Sequence, residues 1–85
     1  MTEYRFRVVI DHRVATDREI LELADKLAEA GCDDGHLAGH GEGIEVVFDR
    51  EAESRDDAMR SAISQIEKCG LLVKRVELDR EAIAV

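Results

Sequence analysis

Residues 20–31 read ILELADKLAEAG, and residues 59–70 read MRSAISQIEKCG. Both stretches repeat apolar residues at helical spacing and end in a glycine, the pattern of an amphipathic helix with a C-terminal stop. At an offset of 39 residues the two apolar stripes coincide: Ile20, Leu23, Ala24 and Leu27 fall on Met59, Ala62, Ile63 and Ile66. This repetition predicts two similar units, each built around one helix.

Both helices have recognisable boundaries. Thr16 is followed three residues later by Glu19, and Ser54 is followed by Asp57 in the same way. A hydroxyl residue with an acidic residue at this spacing is typical of a capping box at a helix N-terminus. Gly31 and Gly70 predict the opposite ends, because glycine readily adopts the positive φ of a helix stop.

Alternation of apolar and polar residues predicts the strands. In the first strand one face carries Tyr4, Phe6, Val8 and Ile10, and in the third strand one face carries Ile44, Val46 and Phe48. The glycine-rich stretch from Cys32 to Gly43 has Leu37 as its only strong apolar residue. It predicts a short second strand at an edge of the sheet, followed by a turn at residues 41–43. A last strand is expected from about Leu72 to Leu78.

The order strand–helix–strand–strand–helix–strand predicts an α+β, ferredoxin-like fold. In this fold four antiparallel strands have the spatial order 4-1-3-2, with two helices on one face of the sheet. We expect residues 1–85 to form one such domain, with a core from about 4 to 79 and a tail at 80–85.

One face of the predicted sheet has no helix over it. That face would carry Arg5, Arg7 and Val9 from the first strand and Glu45, Val47 and Asp49 from the third. The opposite charges would lie on neighbouring strands and could pair across them. Two interpretations stay open: a solvated, charged face, or a self-complementary patch of a two-fold dimer. RNA recognition is disfavoured, because the aromatic residues fall on the helix-covered face.

Composition argues against several classes of partner. The chain has 20 acidic and 12 basic residues and a formal net charge of −8, which opposes attraction to nucleic acid or anionic lipid. No secretory signal and no apolar run of about 20 residues is present. Two cysteines cannot provide the disulfide framework of a small secreted domain. We therefore expect a cytoplasmic protein that binds neither membranes nor, by itself, nucleic acid.

Metal binding and catalysis have only weak support. Cys32, His36 and His40 have zinc-compatible spacing, but in a strand the two histidines would lie about 13 Å apart. A cation site from Asp33, Asp34 and Asp49 lacks the spacing of a calcium loop. The two cysteines are expected near opposite ends of antiparallel helices, too far apart for a disulfide. We predict no catalytic residues, no cofactor, no metal and no enzymatic activity.

Three stretches carry a resemblance to a known family: Ala30-Gly31-Cys32-Asp33-Asp34, Phe48-Asp49-Arg50-Glu51-Ala52-Glu53-Ser54 and Ser61-Ala62-Ile63. They resemble small bacterial α/β modules that, in longer relatives, precede a helix-turn-helix segment in predicted DNA-binding or antitoxin-like proteins. The resemblance spans about residues 4–79 and implies no catalytic residues. No helix-turn-helix follows the last strand here, so direct DNA binding is not expected.

Two classes of function remain. The first is a dimerisation or protein-binding module that acts through the uncovered sheet face or the edge of the second strand. The second is a small-molecule sensor, with an unknown ligand at a dimer interface near residues 11–13 or 32–43. The second class rests on fold analogy alone.

Overall fold

Six elements follow one another along the chain in the predicted order. The computed structural model describes residues 2–13, 16–40 and 43–78. The elements are β1 (Thr2–Ile10), α1 (Asp17–Glu29), β2 (Gly35–His40), β3 (Gly43–Ala52), α2 (Arg55–Lys68) and β4 (Val73–Glu77). The strands form one antiparallel sheet in the order β2-β3-β1-β4. This is an α+β fold, and the predicted strand order, read from the other edge, is confirmed. The predicted tail at 80–85 and turn residues 41 and 42 lie outside the described residues.

The helix boundaries follow the capping residues. Thr16 Oγ1 accepts a hydrogen bond from the Glu19 N–H at 3.2 Å, and Ser54 Oγ accepts one from the Asp57 N–H at 3.1 Å. Gly31 and Gly70, which follow the helices, have φ values of 101° and 82°. Both predicted starts and both predicted stops are confirmed. At 13 and 14 residues, neither described helix is long and apolar enough to cross a membrane.

The core lies between the sheet and the helices. Phe6 of β1 lies directly opposite Phe48 of β3, and their rings stack with centroids 5.3 Å apart. The same buried cluster contains the neighbouring apolar strand residues, two residues of α1 and three of α2: Val8, Ile10, Ile44, Val46, Leu23, Leu27, Ala58, Ala62 and Ile66. The two-residue period of the strands therefore predicts correctly which sheet face is buried.

The apolar stripe of α1 is narrower than predicted. Of the four predicted residues only Leu23 and Leu27 are buried, whereas Ile20 is 38% exposed and Ala24 is only partly buried. The helix packs against β2, which offers few large side chains because it contains Gly35 and Gly39. Because β2 has few large side chains, the predicted apolar residues of α1 near Ile20 remain exposed to solvent.

Candidate interaction surface

The six residues predicted as an interface lie on the sheet face opposite the core. Arg5, Arg7 and Val9 are on β1, and in the β1–β3 register they lie directly opposite Asp49, Val47 and Glu45, respectively. We call the face that carries these six residues the open face. Because the pairs are direct cross-strand neighbours, their side chains are close enough to interact.

Arg5 of β1 and Asp49 of β3 form a bidentate ion pair. Arg5 Nε donates to Asp49 Oδ1 at 2.7 Å, and Arg5 Nη2 donates to Oδ2 at 3.0 Å. The hydrogen bond from Arg5 is the main cause that lowers the pKa of Asp49, and the nearby His36 imidazole acts in the same direction. Arg5 is 60% exposed, so the pair contributes at most about 1 kcal/mol to stability. The guanidinium also remains accessible to a partner.

Arg7 lies between carboxylates from two different strands. Its Nη1 is 4.0 Å from Glu45 Oε2 on β3, and its Nη2 is 3.8 Å from Glu77 Oε1 on β4. Glu77 also accepts a hydrogen bond of 3.0 Å from Arg75 Nε. Arg75 and Glu77 were not predicted as part of this surface. The predicted strand order places β4 beside β1. The two-residue period of β4 could therefore have predicted that Arg75 and Glu77 lie on the open face.

Val9 differs from its predicted role. It was expected as an exposed member of the interface, but it is 0% exposed in the single chain. The register places it between Glu45 on β3 and Arg75 on β4, whose aliphatic stems are long enough to cover a valine. In the single chain Val9 therefore has no exposed surface, and its place in the predicted interface stays a prediction.

Val47 is an apolar side chain of the open face that solvent still reaches. It is half-buried and lies between Arg7 on β1 and His36 on β2. An apolar residue in the middle of a charged array is a favourable contact point for a second protein, because its burial removes apolar surface from water.

A second polar site lies on the core side of the sheet and was not predicted. Arg50 is only 7% exposed, although it is charged. It donates to both carboxylate oxygens of Asp34 at 2.8 Å, to Ser61 Oγ at 2.9 Å and to the Gly31 carbonyl at 3.2 Å. Its guanidinium also lies 4.9 Å from the ring centroid of Phe48. We call this group the Arg50 site.

The Arg50 site is built as a structural link. Hydrogen bonding to Asp34 raises the pKa of Arg50, which keeps the guanidinium charged. Burial raises the pKa of the adjacent Cys32, so its sulfur stays a neutral thiol at ordinary pH. The contacts join β3 to the loop after α1 and to α2. Each of the three stretches on which the predicted resemblance rests supplies a residue to this link.

The described side chains considered for metal binding do not form a metal site, although Asp33, Asp34 and Asp49 line one groove. Asp34 pairs with Arg50, Asp49 pairs with Arg5, and the Cys32 thiol contacts Gln65 Oε1 at 3.7 Å. His36 lies on the exposed open face. Within residues 2–13, 16–40 and 43–78, no group of three or more potential ligands is placed to hold a metal ion.

An acidic groove of about 500 Å³ runs beside the Arg50 site. Its exposed carboxylates belong to Glu3, Asp33 and Glu51. Glu3 lies directly opposite Glu51 in the β1–β3 register, an arrangement that is mildly destabilising for like charges. The groove makes this end of the sheet strongly negative.

The two cysteines lie closer together than predicted. Cys32 contacts the Gln65 side chain, and Cys69 Sγ lies 3.5 Å from the Gln65 carbonyl oxygen and 3.7 Å from that of Lys26. Both thiols thus lie beside one residue of α2 instead of at opposite ends of the helices. Both are free cysteines.

No family model, no curated protein and no solved structure matches this chain. The function proposed below therefore rests on the geometry and charge of the open face.

Proposed function

We propose that this chain is a non-catalytic interaction module that forms a homodimer through its open face. We further propose that its fold is ferredoxin-like, with both helices on one side of the sheet. The support for this arrangement is that buried residues of α1 and α2 belong to one cluster with the core-facing residues of β1 and β3. The opposite face is then available for a partner.

The distribution of charge on the open face carries the proposal. The cations Arg5 and Arg7 lie on β1, and the anions Glu45 and Asp49 lie on the neighbouring β3. A two-fold axis that runs along the strands, midway between β1 and β3, would place β1 of one copy over β3 of the other. Each arginine row would then face a carboxylate row. This is the self-complementarity that an isologous dimer requires.

The ion pairs within each copy also favour association. Arg5 and Asp49 already neutralise each other, and Arg7 is flanked by two carboxylates. Paired charges are less costly to remove from water than isolated ones. Val47 would add apolar contact near the centre of the interface. Because much of the remaining attraction is between exposed charges, we expect the dimer to weaken as salt is added.

We also propose a cellular compartment for the protein and a kind of protein that it resembles. We propose a cytoplasmic module, because reduced thiols persist in that compartment. The resemblance to small bacterial modules that accompany DNA-binding or antitoxin-like segments fits a role in self-association. The resemblance stays a prediction, and so does the absence of nucleic-acid binding by this chain alone.

The test is the molar mass of the chain by light scattering over a wide concentration range. We expect a monomer–dimer equilibrium, with Val47→Asp and Arg5→Glu shifting it at least tenfold toward monomer. Arg18→Glu on α1 is the matched control, since Arg18 is 88% exposed on a helix. Circular dichroism would confirm that each variant folds. A wild-type monomer at every concentration, or a dimer indifferent to both face variants, would contradict the proposal.

A further inference from the structure

The outer edge of β2 lacks the usual protection of an edge strand. β2 pairs with β3 on one side, and no strand among residues 2–13, 16–40 and 43–78 pairs with its other side. Its sequence, GHLAGH, contains no Asp, Glu, Lys or Arg, although these make up 38% of the chain. Edge strands are normally shielded by charged residues, proline or bulges. An uncharged edge is suited to pairing with another strand.

At Ala38 and Gly39, within the described part of β2, little side-chain bulk stands at this edge. Ala38 and Gly39 are exposed, and a β-carbon built on Gly39 would meet no atom within 4 Å. Leu37 packs against the core but is only partly buried. A second backbone can therefore approach to the usual strand spacing of about 4.8 Å.

We propose that β2 pairs antiparallel with β2 of a second copy, about a two-fold axis through Leu37, so that two sheets join edge to edge. In this register His36 lies opposite Ala38 of the other copy, and Gly35 lies opposite Gly39. The contact is separate from the open-face dimer and rests on the proposed self-association. Both contacts can form together, since edge pairing lies in the plane of the sheet and leaves the open faces uncovered.

The side-chain pattern selects this register. A continuous sheet requires opposite residues to point to the same face. The two-fold axis must therefore lie where one residue faces its own counterpart in the other copy, and not at the bond between two residues. An axis through Leu37 brings two leucines together on the core side and covers the exposed part of each. An axis through Ala38 would place Leu37 opposite Gly39, which has no side chain to pack against it.

Charge selects the antiparallel orientation and a second copy of this chain. Asp33 and Asp34 immediately precede β2 and belong to the acidic groove. Parallel pairing would bring these carboxylates within about 5 Å of their counterparts. In the antiparallel pair the two Asp33 residues are about 27 Å apart, at about 3.4 Å per residue, well beyond the Debye length of about 8 Å in physiological salt. The repulsion expected between acidic chains is therefore small at this edge.

Cysteine pairing between chains tests the register. In the proposed pair, His36→Cys of one chain lies opposite Ala38→Cys of the other, at a Cα separation of about 5 Å that suits a disulfide. Two copies of the same variant are diagonal neighbours about 7–8 Å apart, too far for the bond. Mild oxidation with diamide should therefore crosslink the mixture and neither variant alone. The oxidised wild-type chain gives the background from Cys32 and Cys69.

The same experiment in an Arg5→Glu background separates the two proposals. The edge crosslink should persist there, because Arg5 lies two strands away from the outer edge of β2. A crosslink in Ala38→Cys alone equal to that of the mixture, or no crosslink in the mixture, would overturn the edge pairing. If light scattering then still shows a dimer that depends on Arg5 and Val47, the proposed open-face function stands without it. A crosslink that persists while the face variants leave the mass unchanged supports the edge contact and contradicts the face contact.

Discussion

Arg50 and Asp34 face each other through two hydrogen bonds of 2.8 Å, with the guanidinium side chain 8% exposed and the carboxylate 31% exposed. A buried cation without its partner is far more costly than an intact pair. The stability of this small fold therefore depends on a loop carboxylate that precedes a six-residue edge strand.

Removal of that carboxylate should destabilise the protein strongly. We expect Asp34→Asn to lower the free energy of unfolding by about 2–3 kcal/mol, at or below the lower end for a broken buried pair because Asp34 is partly exposed. Asp33→Asn, one residue earlier and exposed, is the control and should change it by less than about 0.5 kcal/mol. Urea unfolding measures both. Equal effects of the two variants would show that the pair does not hold Arg50.

The open-face ion pair should be visible in an acid titration. Arg5 lowers the pKa of Asp49 in the folded state, so the stability from this carboxylate is present above its unfolded pKa and is lost as the pH falls through the lower, folded value. In Arg5→Gln the pKa of Asp49 should rise toward the ordinary range of about 3.9. Carboxyl chemical shifts in NMR follow Asp49 directly. An unchanged titration of Asp49 would mean that Arg5 does not pair with it in solution.

The two thiols should differ in reactivity. Cys32 is buried and its pKa is raised by burial, whereas Cys69 is partly exposed. Because the thiolate is the reactive form, we expect iodoacetamide to label Cys69 several times faster than Cys32 at neutral pH. Peptide mass spectrometry over time measures the two rates. In denaturant the two rates should converge, and similar rates in the folded protein would contradict the burial of Cys32.

The narrow stripe of α1 can be tested by two truncations on one helix. Leu23→Ala should cost about 2–3 kcal/mol, because Leu23 is buried in the core. Ile20→Ala should cost about 1 kcal/mol or less, since Ile20 is 38% exposed. Thermal and urea unfolding of the two variants provide the comparison. A loss at Ile20 as large as that at Leu23 would show that the whole predicted stripe is buried.

Much of the fold was predictable because its determinants are local. The capping hydroxyl of Thr16, the stop at Gly31 and the alternation around Phe6 and Phe48 each depend on a few neighbouring residues. The strand order followed from the two repeated units. These features do not require knowledge of which distant side chains meet.

The polar contacts were only partly predictable. The pairing of Arg5 with Asp49 depends on the β1–β3 register, which the alternation of both strands constrains. Arg50 follows Val46 and Phe48 in the two-residue period of core-facing residues in β3. The alternation of the strand could therefore have predicted its burial. Its partner Asp34 did not, because their contact depends on the conformation of the loop after α1. The burial of Val9 was missed for a similar reason: it requires β4 to place Arg75 beside it.

The strand order has a consequence for the two repeated units. One unit supplies β1 and β2, the other supplies β3 and β4, and in the order β2-β3-β1-β4 the two units alternate at every position. No strand therefore pairs with a strand of its own unit. Either unit alone would have one helix and two strands with a gap between them that is one strand wide. It could build this sheet only if the strands of a second such unit filled the gap. The two repeats are thus complementary halves of one sheet, and each strand takes its neighbours from the other repeat.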